Sequence, residues 1–181
     1  MWNQWDLRSG KDNVSQPPTR GSLAPAITVN DPVSGLETVF AYPASGFTLI
    51  LFLRGTWCIY CGEQLKALEA QLGSLQAAGF RIACLSPESP STLNSYKKKR
   101  CLNVPLFTDT NRAAAKAFGV HYWLRYDGFN LAHPALFIIG PDGQTLVSYV
   151  SKSMSDLPVG LLLEKFLSFM KQPALENSDA Q

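Results

Sequence analysis

The chain has 181 residues, a length that fits one domain with its own hydrophobic core. Its formal net charge of +2 is too small to indicate partners such as nucleic acid or an anionic membrane surface. The longest apolar runs stay short of the roughly 18 residues of a membrane-spanning helix, and residues 1–10 lack the apolar stretch of a signal peptide. We therefore expect a protein of the cytoplasm that binds neither membrane nor nucleic acid.

Composition divides the chain into three parts. Residues 1–20 are polar and contain adjacent prolines, which predicts a flexible N-terminal arm. Residues 21–171 carry the apolar patterns of one folded domain, without an internal repeat. Residues 172–181 are polar again, and we expect them to form a disordered tail.

The first half of the domain is organised around one apolar run. Residues 47–53 are apolar on both faces of a strand, so they predict a central strand that is buried on both sides. Shorter strands are predicted at residues 27–29 and 38–40, with a hairpin turn at residues 43–46. A helix follows the central strand and ends near Gly79, because leucines recur there at spacings of three and four: Leu65, Leu68, Leu72 and Leu75.

The second half continues the alternation of strands and helices and then changes to a hairpin. This order predicts an α/β fold with a mixed central sheet flanked by helices. In chain order, the predicted elements are a buried strand at 81–85, a helix from Ser89 and Pro90 to about Lys99, a short strand at 104–107, a helix at 112–118 capped by residues 109–111, a loop rich in aromatic residues at 120–133, a hairpin of strands 135–139 and 144–150, and a helix from Asp156.

Four cysteines are too few to hold together a disulfide-rich secreted scaffold of this length. Cys58 and Cys61 form a C-x-x-C pair between the central strand and the first long helix. Cys84 lies inside an apolar strand, so we expect it to be a core residue. Cys101 follows the basic run 97–100, which predicts a solvated helix end rather than a nucleic-acid site. A role for Cys101 as a third, resolving thiol stays open.

The C-x-x-C pair admits four interpretations. A structural zinc site needs a second pair of ligands, which the widely separated Cys84 and Cys101 do not supply. Haem attachment needs a histidine directly after the second cysteine, and Gly62 stands there instead. Two inert core cysteines remain an alternative, since free cysteine is often buried. Redox catalysis is the fourth interpretation, and no metal or cofactor is predicted with it.

Redox chemistry is favoured by the position of the pair between a strand and an amphipathic helix. The cysteines then lie at the N-terminus of the helix, where unpaired N–H groups and the helix dipole stabilise a thiolate. One helical turn brings the two sulfurs close enough for a disulfide, so that one thiolate can attack and the other can resolve the mixed intermediate. We expect Cys58 to attack and the less exposed Cys61 to resolve.

The segment 52–61, with the sequence FLRGTWCIYC, resembles the F-Y-R-G-x-W-C-P-x-C segment of peroxiredoxin-like proteins. These proteins belong to the alkyl hydroperoxide reductase/thiol-specific antioxidant (redoxin) family of the thioredoxin superfamily. The resemblance covers residues 21–169 and implies a thioredoxin fold with an N-terminal β-hairpin extension. Other matching segments are the Ala-Pro pair at 24–25, LSPES at 85–89, PLFTD at 105–109, AFGV at 117–120 and LFIIGPDG at 136–143.

The active-centre residues depart from the peroxiredoxin pattern P-x-x-x-T-x-x-C. In an ungapped register Cys61 falls on the peroxidatic cysteine, Cys58 on the threonine and Arg54 on the proline. The arginine that typical peroxiredoxins carry before the late hairpin strand falls on Pro134. The residues that hold and polarise a peroxide are therefore replaced, and the centre resembles that of a thioredoxin.

The resemblance to thioredoxin-fold proteins also implies a role for Pro134, which we expect to form a cis peptide bond opposite the cysteine pair. A cis proline would expose backbone groups to an extended thiol substrate and keep metals off the cysteines. His133, the preceding residue, is then a candidate for substrate binding. An ordinary trans proline at the start of a strand is the alternative.

Four further residues are candidates for the site. Arg54 is close enough in sequence to lower the pKa of a cysteine, unless it is a solvated surface residue. Trp57 is expected beside the pair, where it either shapes substrate access or fills the core. Tyr60 inside the pair and Trp123 in the aromatic loop are candidates for substrate contact, although such a loop more often covers a core.

Three hypotheses about function follow. The first is thiol–disulfide exchange, with protein or small-molecule thiols and disulfides as partners. The second is thiol-dependent reduction of hydroperoxides, in which one cysteine becomes a sulfenic acid and its neighbour resolves it. The third is a redox-inactive binding module that uses the aromatic loop, and the cysteine pair argues against this class.

Overall fold

The computed structural model describes residues 15–40, 42, 44–125, 128–153, 155–156 and 159–171. Most of the predicted arm and the whole of the predicted tail lie outside these ranges, as do Pro43 and the predicted start of the last helix at residues 157–158. Among the described residues, no helix is long and apolar enough to cross a membrane.

The chain alternates between strands and helices, as the sequence predicted. The predicted buried strands at 47–53 and 81–85 and the predicted helices all have counterparts in the structure. The strands are β1 (Ile27–Asn30), β2 (Glu37–Phe40), β3 (Phe47–Phe52), β4 (Phe80–Ser86), β5 (Leu106–Thr108), β6 (His121–Arg125), β7 (Gly128–Ala132), β8 (Ala135–Ile139) and β9 (Thr145–Val150), and the helices are α1 (Ile59–Ala77), α2 (Pro90–Arg100), α3 (Ala113–Ala117) and α4 (Val159–Lys171).

Seven strands form one mixed sheet in the order β2-β1-β5-β4-β3-β8-β9. β3, β4 and β5 are parallel neighbours, and α1 and α2 supply the crossover connections that parallel pairing requires. β8 runs antiparallel to β3, and β9 antiparallel to β8. Because parallel strands end at the same edge, the segment before α1 and the segment before α2 meet at one edge of the sheet.

The central strand β3 is buried on both faces, which explains its unbroken apolar run. Leu49 and Leu51 pack with α1, α4 and Leu93 of α2 in one core cluster. Ile50 and Phe52 point to the other face and pack with α3 and β1. Side chains alternate between the faces of a strand, so one strand anchors both layers of the domain.

The N-terminal extension is a hairpin, but its turn differs from the predicted one. β2 pairs antiparallel with β1, from Ile27 opposite Phe40 to Asn30 opposite Glu37, and β1 joins the sheet beside β5. The turn is closed by Asp31, whose carboxylate accepts the backbone N–H groups of two following residues. A turn at residues 43–46 is therefore not part of this hairpin, and an Asx turn explains why the chain reverses earlier.

The predicted aromatic loop at residues 120–133 is a hairpin of its own. β6 and β7 pair antiparallel, with His121 opposite Ala132 and Leu124 opposite Phe129, in a two-stranded sheet separate from the main one. The loop prediction was wrong, and the aromatic residues that this segment contains are ones that favour strands.

Gly119 should be a position that tolerates no side chain. Its φ of +65° is in the left-handed region, and a Cβ atom there would overlap the carbonyl oxygen of Ser15 and the backbone of the residues after it. We expect Gly119→Ala to lower the free energy of unfolding by about 2 kcal/mol or more, measured by urea denaturation. The control is Gly73→Ala, which enters open space inside α1 and should raise the free energy by about 0.5–1 kcal/mol. Equal effects of the two variants would contradict this prediction.

Candidate active site

The cysteine pair occupies the first turn of α1, at the edge of the sheet where β3 ends. Cys58 is the N-cap residue of the helix, with an extended backbone conformation (φ −80°, ψ 115°). Its sulfur accepts the backbone N–H of Cys61 at 3.3 Å. The cysteine therefore takes the place of the serine, threonine or aspartate that usually satisfies an unpaired N–H group at a helix start.

The two sulfurs differ in environment although they are three residues apart. Both side chains are buried, Cys58 with 5% and Cys61 with 1% of its surface exposed, and both are free thiols. Both sulfurs border the same core cluster, but Cys61 is the more deeply buried and donates its thiol hydrogen to the Cys58 sulfur. This asymmetry sets the electrostatics of the pair.

The pKa of Cys58 is lowered to about 6. The largest cause is a hydrogen bond that the Cys61 thiol donates to the Cys58 sulfur, and burial opposes it. The backbone N–H groups of Cys61 and Tyr60 and the positive charge of Arg54 lower the pKa further. At neutral pH, Cys58 is therefore a thiolate.

The pKa of Cys61 is raised well above its ordinary value. The causes are its role as the donor to Cys58, its burial, and the negative charge of the Cys58 thiolate. The backbone N–H groups of Arg54 and Gly55 act in the opposite direction, because they donate to the Cys61 sulfur. Cys61 therefore keeps its proton while Cys58 is charged. Once that charge is lost, the two backbone N–H donors can stabilise a Cys61 thiolate.

Arg54 is a buried cation and not a solvated surface residue, with 2% of its surface exposed. Its guanidinium lies over the ring of Trp57 at 4.9 Å from the centroid. A Cβ atom at Gly128 of β7 would lie 3.6 Å from Nη2 of Arg54, so the guanidinium also contacts the β6–β7 hairpin. Arg54 therefore connects the cysteine segment to that hairpin.

Glu88 holds the backbone immediately before the cysteine pair. Its carboxylate accepts the backbone N–H of Thr56 at 2.9 Å and the Thr56 hydroxyl at 2.7 Å. The Ser86 hydroxyl donates to the same carboxylate at 2.9 Å. Glu88 follows β4 and Thr56 follows β3, so this contact fastens the two loops that the parallel strands bring to one edge.

Large apolar side chains are exposed on the cysteine segment and on the β6–β7 hairpin. Trp57 is 57% exposed, which excludes the core position considered for it, and Ile59 and Tyr60 are exposed beside it. The β6–β7 hairpin exposes Trp123, whose ring meets that of Phe129 edge-on at 5.6 Å. The hairpin thus presents its aromatic residues to solvent and does not serve only to cover the core.

The prediction of a cis proline was wrong. Among the residues that the structure describes, no peptide bond is cis, so the bond between His133 and Pro134 is trans. The His133 N–H donates to Val120 O, and the Pro134 carbonyl accepts the Ser151 N–H, both at 2.8 Å. Pro134 precedes Ala135, which lies opposite Phe52 at the end of β3. The ring of His133 contacts Tyr122, within the hairpin segment.

The other two cysteines lie in contrasting places. Cys84 is fully buried between Leu51 and Leu106 of the neighbouring strands, and burial raises the pKa of its thiol. Cys101 is exposed at the C-cap of α2, in the left-handed conformation. In the described part of the chain, no three His, Cys, Asp or Glu side chains are grouped to hold a metal.

Gln64 is a buried amide next to the pair on α1. It has 1% of its surface exposed, and neither its amide nitrogen nor its amide oxygen has a hydrogen-bond partner among the described residues. Gln64 is three residues after Cys61, so the two side chains are neighbours on one face of the helix. An unsatisfied buried amide costs about 1–3 kcal/mol.

Sequence analysis missed Glu88 and Gln64. The position of Glu88 had a usable signal, because it follows a buried strand parallel to β3 and must therefore lie at the same edge as the cysteine pair. Gln64 had only its place in the apolar stripe of α1, where a polar residue is an exception.

Comparison with known proteins gives three findings. The profile of the AhpC/TSA family matches residues 21–147. Two relatives are each 24% identical: a Mycobacterium tuberculosis protein named as a peroxiredoxin, over 78% of this chain and 96% of the relative, and the thiol-disulfide oxidoreductase ResA of Bacillus subtilis, over 82% of this chain and 74% of the relative. The crystal structure of a peroxiredoxin-like protein from Aquifex aeolicus superposes with a TM-score of 0.75 at 15% identity, covering 86% of this chain and 90% of that one. The predicted thioredoxin-type α/β fold is confirmed.

The low pKa of Cys58 should depend on the donor at position 61. We expect Cys61→Ser to keep the Cys58 pKa near 6, because the hydroxyl still donates, and Cys61→Ala to raise it. Alkylation rates measured against pH give both values. A Cys58 pKa in Cys61→Ala equal to that of Cys61→Ser would contradict the assigned cause.

The same titration should appear in the stability of the reduced protein. The folded pKa of Cys58 lies below its unfolded value of about 8.5, so the thiolate form is favoured by folding. Its contribution is fully present above the unfolded pKa and is lost as the pH falls through about 6. Urea denaturation at pH values across this window, with Cys58→Ser as the reference, measures the difference.

Replacing Gln64 should stabilise the fold. Gln64→Leu removes two unsatisfied polar atoms from the core, and we expect the free energy of unfolding to rise by about 1–2 kcal/mol. The control is Gln76→Leu, an exposed position on the same helix, with a change below about 0.5 kcal/mol. Urea denaturation of both variants checks the expectation, and a destabilised Gln64→Leu would show that the amide has a partner in solution.

Proposed function

Since the chain belongs to the AhpC/TSA family, as its resemblance predicted, we propose that it is a thiol–disulfide oxidoreductase in which Cys58 and Cys61 form a reversible disulfide. The observation that carries the proposal is the asymmetry of the pair: a thiolate at the helix N-cap beside a thiol that keeps its proton. Oxidoreductase activity is also what the names of the relatives indicate. A redox-inactive binding module would have no use for this asymmetry.

The first step is attack by the Cys58 thiolate on a substrate disulfide. A bond forms between Cys58 Sγ and one substrate sulfur while the substrate S–S bond breaks, and the second substrate sulfur leaves as a thiolate that takes a proton from water. The hydrogen bond from the Cys61 thiol, supported by the unpaired N–H groups of α1 and the cation of Arg54, makes the thiolate available at neutral pH.

The second step is attack by Cys61 on the mixed disulfide. The negative charge of Cys58 is gone at this stage, so the two causes that depended on it no longer raise the pKa of Cys61. The backbone N–H groups of Arg54 and Gly55 then stabilise the Cys61 thiolate once its proton passes to solvent. Formation of the Cys58–Cys61 bond releases the remaining substrate thiolate, and two electrons have passed to the substrate.

The products of one turnover are a protein disulfide and two substrate thiols. A dithiol reductant must return the pair to the reduced form, so we expect thiol- and disulfide-containing proteins or small molecules as partners. Electrons pass only between sulfur atoms and protons are exchanged with water, so the proposed cycle uses no cofactor. Trp57 and Tyr60 are exposed next to the pair in the chain, and Trp123 is exposed on the β6–β7 hairpin that Arg54 contacts. These are the residues we expect to contact a docked substrate.

Reduction of hydroperoxides is the second candidate, favoured by the peroxiredoxin relative and by the trans bond at Pro134, which removes one argument for a thioredoxin-like centre. Here the Cys58 thiolate attacks the peroxide oxygen, releases an alcohol and becomes a sulfenic acid, and Cys61 condenses with it to release water. The ungapped register assigned the peroxidatic role to Cys61, whose raised pKa and deeper burial argue for Cys58 instead.

The cytoplasm is the location that we propose, because its thiols are kept reduced. The active form requires a free Cys58 thiolate, and the other two cysteines are a buried core residue and an exposed single thiol.

Paired assays on one preparation should separate the candidates. We expect the reduced protein to reduce insulin disulfides with Cys58–Cys61 as its oxidised product, identified by mass after alkylation. Cys58→Ser should abolish the reaction. Cys61→Ser should trap the mixed disulfide, because the attacking thiolate remains while the resolving one is absent.

The contrary outcomes are distinct. Hydroperoxide consumption that exceeds insulin reduction would make the protein a peroxidase. Bound zinc, or full activity of Cys58→Ser in both assays, would remove the cysteine pair as the centre.

A further inference from the structure

A tyrosine of α2 lies directly against the first turn of α1. A Cβ atom at Gly62 would be 3.3 Å from the hydroxyl oxygen of Tyr96, a shorter distance than most Cβ atoms keep from their neighbours. Gly62 is one helical turn after Cys58, whose carbonyl accepts the Gly62 N–H at 3.1 Å. The hydroxyl therefore lies on the same face of α1 as Cys58, one turn away from it.

The ring of Tyr96 is held by packing contacts, whereas its hydroxyl is not engaged in a hydrogen bond with any described residue. Its ring packs against the core cluster that contains both cysteines, and the guanidinium of Arg100 lies 5.6 Å from the ring centroid on the other side. Within the described part of the chain, the hydroxyl makes no hydrogen bond. The side chain as a whole is half-buried.

The hydroxyl keeps its proton under working conditions. Burial raises the pKa of Tyr96, and negative charge at Cys61, Glu88 and Cys58 raises it further, against the effect of Arg100. The electrostatic influence of both cysteines also indicates that the phenol lies near the reacting sulfurs. A phenol of this kind is a hydrogen-bond donor and a poor source of protons.

We infer that Tyr96 is a catalytic residue whose hydroxyl donates a hydrogen bond to the substrate sulfur that leaves when Cys58 attacks. The inference rests on the proposed thiol–disulfide exchange and adds the group that stabilises the leaving thiolate. A Cβ atom at position 62 would force the phenol to shift.

The step balances without a proton from Tyr96. The bond between Cys58 Sγ and the attacked sulfur forms, the substrate S–S bond breaks, and the electron pair of that bond stays on the leaving sulfur. The Tyr96 O–H donates to this sulfur as its charge develops and retains its proton. Water protonates the thiolate after it departs. Hydrogen bonds to charged groups are stronger than those between neutral groups, so the donor favours the transition state.

The test removes only the hydroxyl. The expected result for Tyr96→Phe depends on the leaving group, because a thiolate of high pKa needs stabilisation and one of low pKa does not. We expect the rate with hydroxyethyl disulfide, an alkyl disulfide, to fall about tenfold, and the rate with dithiobis-nitrobenzoate, an aryl disulfide, to fall less than about twofold. The pKa of Cys58, measured by alkylation, should stay within about half a unit.

Gly62→Ala is the second variant. Alanine favours the helix, so the free energy of unfolding should not fall much, while the displaced phenol should reproduce the selective loss with the alkyl disulfide. The control is Tyr42→Phe, which removes a hydroxyl bonded to Pro25 O on the other face of the sheet and should change neither rate.

The outcomes separate this inference from the proposed function. Equal rates of Tyr96→Phe and the unaltered protein with both disulfides would overturn the inference and leave the function intact. Equal losses with both disulfides would also overturn it, since they would indicate a changed Cys58. An unaltered protein that reduces neither disulfide would overturn the proposed function itself.

Discussion

The unpaired N–H groups at the start of α1 are the constraint on which the site depends. A helix start needs an acceptor, and Cys58 fills that place with a sulfur that accepts the Cys61 N–H at 3.3 Å. Capping the helix and stabilising the thiolate are therefore one interaction. Oxidation removes the charge from this sulfur, so the cap is weaker in the disulfide form and the first turn of α1 gains its best acceptor on reduction.

Parallel pairing of β3 and β4 places the rest of the site. Both strands end at one edge, where the Glu88 carboxylate fixes the backbone of Thr56 two residues before Cys58. Arg54 links the cysteine segment to the β6–β7 hairpin, because its buried guanidinium contacts both Trp57 and that hairpin. Three segments that are distant in sequence thus converge on the two sulfurs.

The main sheet was predictable, since residues 47–53 are apolar on both faces and the C-x-x-C pair follows them directly. The family resemblance was informative for the same reason, because it rests on that segment. The β6–β7 hairpin was missed because residues 120–133 were predicted to be a loop, although their aromatic residues favour strands. The bond before Pro134 is trans, and no local pattern in the sequence distinguishes the trans form from the cis form that the resemblance implied. Contacts between α2 and α1, including that of Tyr96 with Gly62, arise only from packing.

Because Cys84 is buried, the reactivity of its thiol reports on the opening of the whole core. This thiol is sealed between two neighbouring strands at the centre of the sheet, and Cys101 on the surface is open to any reagent. Cys84 lies in the core cluster that α1 and α2 cover, so a reagent can reach it only when that core opens. Its modification therefore counts the openings of the core, while Cys101 in the same molecule records how much reagent was present. Modification of Cys84 therefore measures the opening of the core, and modification of Cys101 serves as the internal reference.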